Sequence, residues 1–177
     1  KLALTPMLFR EQLNPESYLI IPAVSSERRR YIPVGFLDKS VIPVMGTLII
    51  PDADLVDFGI VNSNVHMAWM RAFAGRLEMR YRYSKDIVYN TFPWPKLTKE
   101  NRTEIERTAN LILSARALYK DSTLEDLYDE LTMPIELRNA HRENNKAVMR
   151  AFGFDLKMTE EECVAELMKL YKNRLNQ

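Results

Sequence analysis

The sequence predicts an α+β fold, in which a small mixed sheet with a long packed helix is followed by an all-helical part. Short apolar runs separated by turn residues fill residues 18–51, a pattern typical of strands. Residues 55–74 change to helical spacing, and from Thr98 onward the chain is rich in helix formers. We therefore predict two domains, residues 1–97 and residues 98–177.

The first two strands are predicted to form a hairpin over residues 18–36, YLIIPAVSSERRRYIPVGF. Two apolar runs flank the polar tip SSERRR, which is the layout of a strand, a turn and a strand. A third strand is predicted at TLII, residues 47–50, and Pro51 with Asp52 would end it.

A long helix is predicted over residues 55–74, with Gly75 where it would stop. Asn62, Ser63 and Asn64 in its middle are poor helix formers. They either divide this helix into two or mark a polar face in contact with another group.

Residues 76–83, RLEMRYRY, alternate in polarity and are predicted to form one further strand. Its inner face would be apolar, and its outer face would carry arginines whose planar guanidinium groups can hold phosphates. A plain solvated face is the alternative. Residues 86–95 are predicted to be an extended connector with Phe92 and Trp94 buried. The two faces are Leu77, Met79, Tyr81 and Tyr83 on the inside, and Arg76, Glu78, Arg80 and Arg82 on the outside.

Four helices are predicted in the second part, the first over residues 99–120. A short second helix would end near residue 131, and a third would end at Phe152. Capping boxes, an N-terminal proline and a C-terminal glycine mark their ends. These signals are Ser122 with Glu125, Pro134, Gly153, and Thr159 with Glu162.

The composition is that of a folded protein, with 46% hydrophobic and 28% charged residues. No stretch approaches the roughly 18 apolar residues of a membrane helix. The chain starts without Met or a signal segment, so we expect a piece of a longer polypeptide. The single cysteine, Cys163, excludes an internal disulfide and a thiolate zinc site, and it predicts a reducing, cytoplasmic setting.

The sequence carries no motif of an active site. Its five glycines are isolated, so a dinucleotide fingerprint, a phosphate loop and a nucleophile elbow are all excluded. His66 is expected to be packed or on the surface, and His141 to lie on a solvated face within HRENNK. Cys163 is expected to be buried, because the neighbouring glutamates oppose a thiolate. We predict no catalytic residue and no metal ligand.

Positive charge concentrates in the first part of the chain. Residues 1–97 have a net charge of +3, and residues 98–177 have a net charge of −2. One cluster lies at the predicted hairpin tip, and another lies within residues 71–85. Clustered arginine and lysine side chains suit the phosphates of a nucleic acid. The predicted phosphate-binding residues are Arg28, Arg30, Arg71, Arg76, Arg80, Arg82 and Lys85.

The register of the predicted hairpin makes its tip residues unequal. With the apolar residues of the second strand in the core, Arg28 and Arg30 begin on the core side. Glu27, Arg29 and Tyr31 then point outward. Arginine can take guanine in a bidentate contact, and glutamate can accept from the cytosine amino group. We therefore predict Glu27 and Arg29 as base-reading residues, with a local ion pair that fixes the turn as the alternative.

Two long stretches resemble a known family. YLIIPAVSSERRRYIPVGF and HMAWMRAFAGRLEMRYRYSKDIVYNTFPWP resemble the target-recognition region of DNA methyltransferases of the MmeI-like class. In that class one polypeptide combines adenine methylation, and often restriction, with sequence recognition. The residues after FPWP are similar to the C-terminal helical domain of the same class. The resemblance implies double-stranded DNA and a methyltransferase domain of the same polypeptide as partners.

The resemblance also implies which functions lie elsewhere. The S-adenosylmethionine loop and the Asn-Pro-Pro-aromatic motif of the class do not occur in this sequence, nor does its Pro-Asp…Glu-x-Lys nuclease motif. This chain would therefore hold no cofactor, and S-adenosylmethionine, with Mg for any cleavage, would belong to the parent enzyme. The chain would place a target so that the missing domain can flip out an adenine.

Two other functions remain open at this point. A protein-interaction or scaffolding module would use the helical part for docking and leave the arginines solvated. An RNA-binding module would stack bases on Tyr81 and Tyr83. The predicted inner face shared with Leu77 and Met79 argues against such exposed tyrosines.

Overall fold

A computed structural model describes residues 15–176, and within them the chain forms two three-stranded antiparallel sheets and a set of helices. The strands are β1 (Ser17–Pro22), β2 (Val24–Ser25), β3 (Gly35–Asp38), β4 (Thr47–Pro51), β5 (Gly75–Leu77) and β6 (Arg80–Arg82). The helices are α1 (Leu55–Val61), α2 (Asn64–Phe73), α3 (Lys99–Ala117), α4 (Leu124–Leu127), α5 (Ile135–Phe152) and α6 (Glu160–Leu175). The α+β class is confirmed, but two antiparallel sheets replace the single mixed sheet of the prediction.

The first sheet has the order β3-β1-β4 and packs one face on the core. On that face Leu19 of β1 lies between Phe36 and Ile50 of its two neighbours. Phe36 then stacks on Phe58 of α1, with 5.4 Å between ring centroids. The strand predicted at TLII is confirmed, and it pairs with the central strand β1.

The predicted hairpin over residues 18–36 is correct only in part. β1 does pair antiparallel with β3, with Ile20 opposite Gly35. Between them, however, the chain leaves the first sheet, and Val24–Ser25 pairs with β6 in the second sheet. Residues 26–34, called the arginine segment below, then return to β3 as irregular structure rather than as a regular strand.

The long helix predicted over residues 55–74 is two helices, one of the two outcomes that the sequence allowed. α1 begins with a capping box between Asp54 and Asp57. It ends at Asn62, and the Ser63 hydroxyl then accepts the His66 backbone N–H at 3.2 Å to start α2. Polar residues that bond to the backbone favour such a break over a continuous helix.

Residues 76–83 form a tight hairpin rather than the single strand of the prediction. Glu78 adopts a left-handed φ of 57° in the turn between β5 and β6. Arg76 therefore lies opposite Tyr81, on the same face, instead of sharing the face of Arg80. A two-residue turn between short strands keeps the chain alternating, so periodicity alone does not reveal the reversal. Leu77 and Met79 are exposed, contrary to the prediction, whereas Tyr81 and Tyr83 are buried.

The connector is also more regular than predicted. It starts with a π-helical turn, Lys85–Tyr89, before the irregular residues that lead to α3. Phe92 is buried as predicted, and Trp94 is half-buried against it.

The helical part agrees closely with its start and stop signals. Gly153, with a φ of 72°, closes α5, and Thr159 with Glu162 forms the predicted capping box of α6. Pro134 is the N-cap of α5. The cap of α4 lies one residue later than predicted, since Thr123 and Asp126 form its capping box. Helix α4 also ends at Leu127 rather than near residue 131, and α3 ends at Ala117 rather than at residue 120.

One hydrophobic cluster runs through both predicted domains. Leu19 of β1 and Leu167 of α6 belong to the same cluster of buried residues. Helices α1 and α3 approach closely at Gly59, where an added Cβ would lie 2.6 Å from Cγ2 of Ile105. The two parts thus share a core, and the domain boundary near residue 97 remains a prediction.

Candidate nucleic-acid interface

The arginine segment borders a cavity of about 540 Å³. The cavity lies between this segment, α2, the end of α5 and the start of α6. Arginines and glutamates dominate its charged lining, so it is not purely cationic. The charged lining residues are Glu27, Arg28, Arg29, Arg30, Arg71, Glu130 and Glu160.

The three arginines of the segment differ in freedom. The Arg28 side chain is 85% exposed, and its Nε lies 3.8 Å from the Glu27 carboxylate. The Arg29 side chain is only 18% exposed, and its Nη2 donates to Glu125 at 2.9 Å. The predicted register is therefore wrong for both arginines. It is also wrong for Arg30, which was expected on the core side and is exposed, and for Tyr31, which was expected outside and is buried. The backbone turns at residues 27–28, so strand alternation does not apply there.

Arg71 of α2 ties the arginine segment to α6. Its Nε and Nη2 donate to the two carboxylate oxygens of Glu160 at 2.6 and 2.7 Å. Its Nη1 also donates to the Arg30 carbonyl at 3.2 Å. This fork geometry is the strong form of an arginine–carboxylate pair. Arg71, predicted in the second basic cluster with residues 76–85, therefore lies beside Arg30 of the first cluster, and its guanidinium is already engaged.

The other predicted basic residues lie on the β5–β6 hairpin and beside it, outside the lining of this cavity. The Arg76 guanidinium lies 3.8 Å from the centroid of the Tyr81 ring. Arg80 pairs with Glu78 at 2.9 Å, and Arg82 is exposed. Lys85 is also exposed, with its Nζ 3.8 Å from the Asp86 carboxylate.

A buried polar network behind the arginine segment was missed from the sequence. The Tyr31 hydroxyl accepts from Nδ2 of Asn145 at 2.8 Å, and its ring stacks on His141 with 4.0 Å between centroids. His141 and Asn145 are buried, so the solvated face predicted for HRENNK is wrong. The missed signal is helical spacing: Leu137, His141, Asn145 and Val148 follow one stripe of α5.

Arg116 of α3 connects this network to the end of the segment. Its Nη1 donates to the Val34 carbonyl at 2.7 Å, and its Nε donates to the Tyr128 hydroxyl at 3.0 Å. The same hydroxyl lies 2.7 Å from Nε2 of His141. Residues from α3 and α5 and the C-cap of α4, Tyr128, therefore meet behind the arginine segment.

The buried titratable groups are held in their uncharged forms. Desolvation by burial lowers the pKa of His66 and of His141 to about 3, and the positive charge of Arg116 adds to the effect at His141. Burial raises the pKa of the Cys163 thiol to about 12, with Glu160 contributing. Cys163 is thus the buried residue that was predicted, and the pKa directions are those of packed groups rather than of acids and bases near neutral pH.

Within residues 15–176, no three His, Cys, Asp or Glu side chains are grouped closely enough to hold a metal ion. None of the helices in that part of the chain is long and apolar enough to cross a membrane.

Two family models divide the chain between them. The model of the MmeI target recognition domain matches residues 1–96, and that of the MmeI C-terminal domain matches residues 97–177. The chain belongs to the MmeI family.

Two similar proteins support this assignment to the MmeI family. DNA methyltransferase A of Bacillus subtilis (strain 168) is 42% identical over 173 residues, which are 97% of this chain and 20% of the relative. A solved structure of the Type IIL restriction-modification enzyme MmeI in complex with DNA matches with a TM-score of 0.91 and 43% identity. That match covers 94% of this chain and 22% of the MmeI chain. This chain therefore spans about a fifth of the length of both relatives.

Proposed function

We propose that this chain reads the sequence of double-stranded DNA on behalf of a larger, site-specific adenine methyltransferase. The observation that carries the proposal is the TM-score of 0.91 to MmeI, an enzyme whose structure was solved in complex with DNA. The match of the MmeI target recognition model to residues 1–96 supports the same role. We place this activity in the cytoplasm, where a lone cysteine stays reduced.

Glu27 and Arg29 are the base-reading residues of this proposal. A side chain that distinguishes bases must be held in a fixed position. Arg29 meets this requirement, because Glu125 holds one of its guanidinium nitrogens and leaves other donors unused. Glu27 borders the same cavity and supplies an acceptor that suits the cytosine amino group.

We assign the phosphate contacts to basic side chains that are exposed and make few contacts within the protein. Arg28, Arg30, Arg82 and Lys85 are exposed, and Arg80 is exposed beside Glu78. Long flexible cations of this kind hold a backbone without reading sequence. Arg71 and Arg76, also predicted as phosphate contacts, have their guanidinium groups engaged by Glu160 and by Tyr81. We propose them as supports of the surface: Arg71 under the arginine segment and Arg76 within the β5–β6 hairpin.

Methyl transfer is assigned to another part of the parent polypeptide. The family's S-adenosylmethionine and catalytic motifs do not occur in this sequence. The methyltransferase domain would bind S-adenosylmethionine, and a nuclease domain, where the parent has one, would bind Mg. Alone, this chain neither methylates nor cleaves.

Duplex DNA binding measured between about 50 and 200 mM salt tests the proposal. Five phosphate contacts predict that affinity falls roughly 500-fold over this range, because each contact releases counterions. Affinity that stays constant with salt would contradict the phosphate contacts. The full-length polypeptide serves as the control for any contribution from its other domains.

Binding to single-stranded RNA, measured beside duplex DNA binding, separates the rival functions. Preference for single-stranded RNA over duplex DNA would favour RNA recognition, although Tyr81 and Tyr83 are buried and unsuited to stacking on bases. Failure of the folded full-length polypeptide to bind either nucleic acid at low salt would favour a protein-interaction module.

A further inference from the structure

We infer that the helical part of the chain tunes DNA base preference by holding the arginine segment in place, with Tyr31 and Asn145 as the positioning residues. The inference rests on the proposed DNA recognition. It assigns the second part of the chain a role in specificity, in addition to its packing on the first part.

Contacts from the segment to the helical part are spread along its length. They join it to α3, α4 and α5, which are far away in sequence. The first contact along the segment is an ion pair. The second is a buried hydrogen bond, and the third is a hydrogen bond from a charged donor. These contacts are Arg29 with Glu125 at 2.9 Å, the Tyr31 hydroxyl with Asn145 at 2.8 Å, and the Val34 carbonyl with Arg116 at 2.7 Å.

Asn145 locks Tyr31 relative to α2. Its Oδ1 accepts the backbone N–H of Asn64 at 2.9 Å, at the first turn of that helix. A backbone N–H can only donate, so this bond fixes which end of the Asn145 amide faces Tyr31. The NH₂ group therefore donates to the Tyr31 hydroxyl, and both residues are buried.

The Tyr31 ring is held independently of its hydroxyl. It stacks on the His141 ring at an interplanar angle of 21°, and His141 is itself fixed by the Asn62 carbonyl at 3.2 Å. Removing only the hydroxyl should therefore leave the ring stacked on His141. The ring should then rotate more freely and vary in how deeply it is buried. Tyr31 thus offers a small, well-defined perturbation two residues from Arg29.

Base discrimination depends on such small displacements. Bidentate contacts require the side chain to be placed within about 0.5 Å, whereas exposed cations follow a phosphate over a wider range. Loosening the Tyr31–Asn145 bond should therefore reduce base preference more than total affinity. A purely structural contact would lower stability without that selective effect.

The test compares Tyr31→Phe with wild type in the full-length polypeptide, by selection from a randomised duplex DNA library. We expect the preference at one or two base pairs to fall about fivefold, which is part of the discrimination that a bidentate contact supplies. Total duplex affinity should change less than about twofold. The melting temperature is measured in parallel to follow stability.

Thr108→Val is the matched control. The buried Thr108 hydroxyl lies 3.0 Å from Oδ1 of Asn144 and 3.1 Å from the carbonyls of Glu104 and Ile105 in its own helix. This variant therefore also removes one buried hydroxyl and its polar contact between helices. It should lower stability and leave base preference unchanged. The double variant Tyr31→Phe with Asn145→Leu should shift preference no further than Asn145→Leu alone, because both substitutions break the same Tyr31–Asn145 hydrogen bond.

Unchanged preference in Tyr31→Phe, with a loss of stability like that of Thr108→Val, would overturn the positioning role. Equal loss of preference in both variants would overturn it as well. A wild-type protein that enriches no sequence would instead overturn the proposed DNA recognition on which this inference depends.

Discussion

The Arg29 guanidinium donates to the Glu125 carboxylate at 2.9 Å, across 96 residues of sequence. One residue earlier, Arg28 projects with 85% of its side chain exposed. Two adjacent arginines of the same segment thus differ in how firmly their side chains are held. In the proposed recognition, the held Arg29 would contact a base and the exposed Arg28 would contact a phosphate.

Arg29→Ala in the full-length polypeptide should relax preference at one base pair, because a bidentate contact to guanine is lost. The expected loss of discrimination is about 1–3 kcal/mol, measured by selection from randomised duplex DNA. Arg28→Ala is the matched control, and it should weaken binding to all sequences and reduce the salt slope by about 1. A uniform loss in Arg29→Ala would instead make Arg29 a phosphate contact.

The β5–β6 hairpin offers a second matched pair. Arg82→Ala should lower duplex affinity and reduce the salt slope by about 0.9, since it removes one phosphate contact. Arg76→Ala should leave the slope unchanged, because the Arg76 guanidinium rests on Tyr81. It should instead lower the free energy of unfolding by about 0.5–1 kcal/mol through the lost cation–π contact. Equal slopes for Arg82→Ala and wild type would remove Arg82 from the interface.

Acid should destabilise the fold through His66 and His141. Burial lowers the pKa of both to about 3 in the folded state, whereas the unfolded chain binds protons from about pH 6.5 downward. Their contribution to stability is therefore full above pH 6.5 and is lost as the pH falls toward 3. When the pH falls from 7 to 5, each histidine should lower the free energy of unfolding by about 2 kcal/mol.

Urea unfolding at several pH values measures this loss. The carboxylates with lowered pKa, such as Glu104 and Glu143, add most of their own loss below pH 5, so the histidines dominate the change between pH 7 and 5. A free energy of unfolding that stays constant between pH 7 and 5 would mean that the two histidines are not buried in neutral form.

Gly59→Ala should destabilise the contact between α1 and α3. Its new Cβ would lie 2.6 Å from Cγ2 of Ile105, a buried branched side chain with little freedom to move. Overpacking of this kind costs about 1–3 kcal/mol, partly offset by the better helix propensity of alanine. In Gly75→Ala the nearest atoms beyond the adjacent residues belong to Arg82, 3.9 Å from the new Cβ, so urea unfolding of that control should match wild type. Equal stability of both variants would contradict the close helix contact.

Local signals predicted the helices well. Thr159 with Glu162, Pro134 and Gly153 mark their helix ends because capping depends on residues a few positions apart. The break at Ser63 was one of the two outcomes that the sequence allowed, and the local cap at Ser63 decides it. Helix caps depend on neighbouring residues, so a single sequence is enough to predict them.

Long-range relationships explain what could not be predicted. Val24 leaves the first sheet because it pairs with Arg82, and nothing near Val24 in the sequence encodes that partner. The buried polar side of α5 looks solvated until Tyr31 and Tyr128 supply its hydrogen bonds. The family resemblance, by contrast, was carried by long runs of residues and is confirmed by the family models.

Genomic adenine methylation, mapped in cells with and without the full-length gene, tests the central claim most directly. We predict that adenine marks within one sequence context disappear when the gene is removed and return when it is restored. An unchanged set of adenine marks, in cells that produce the folded full-length protein, would contradict the claim that this chain directs a site-specific adenine methyltransferase.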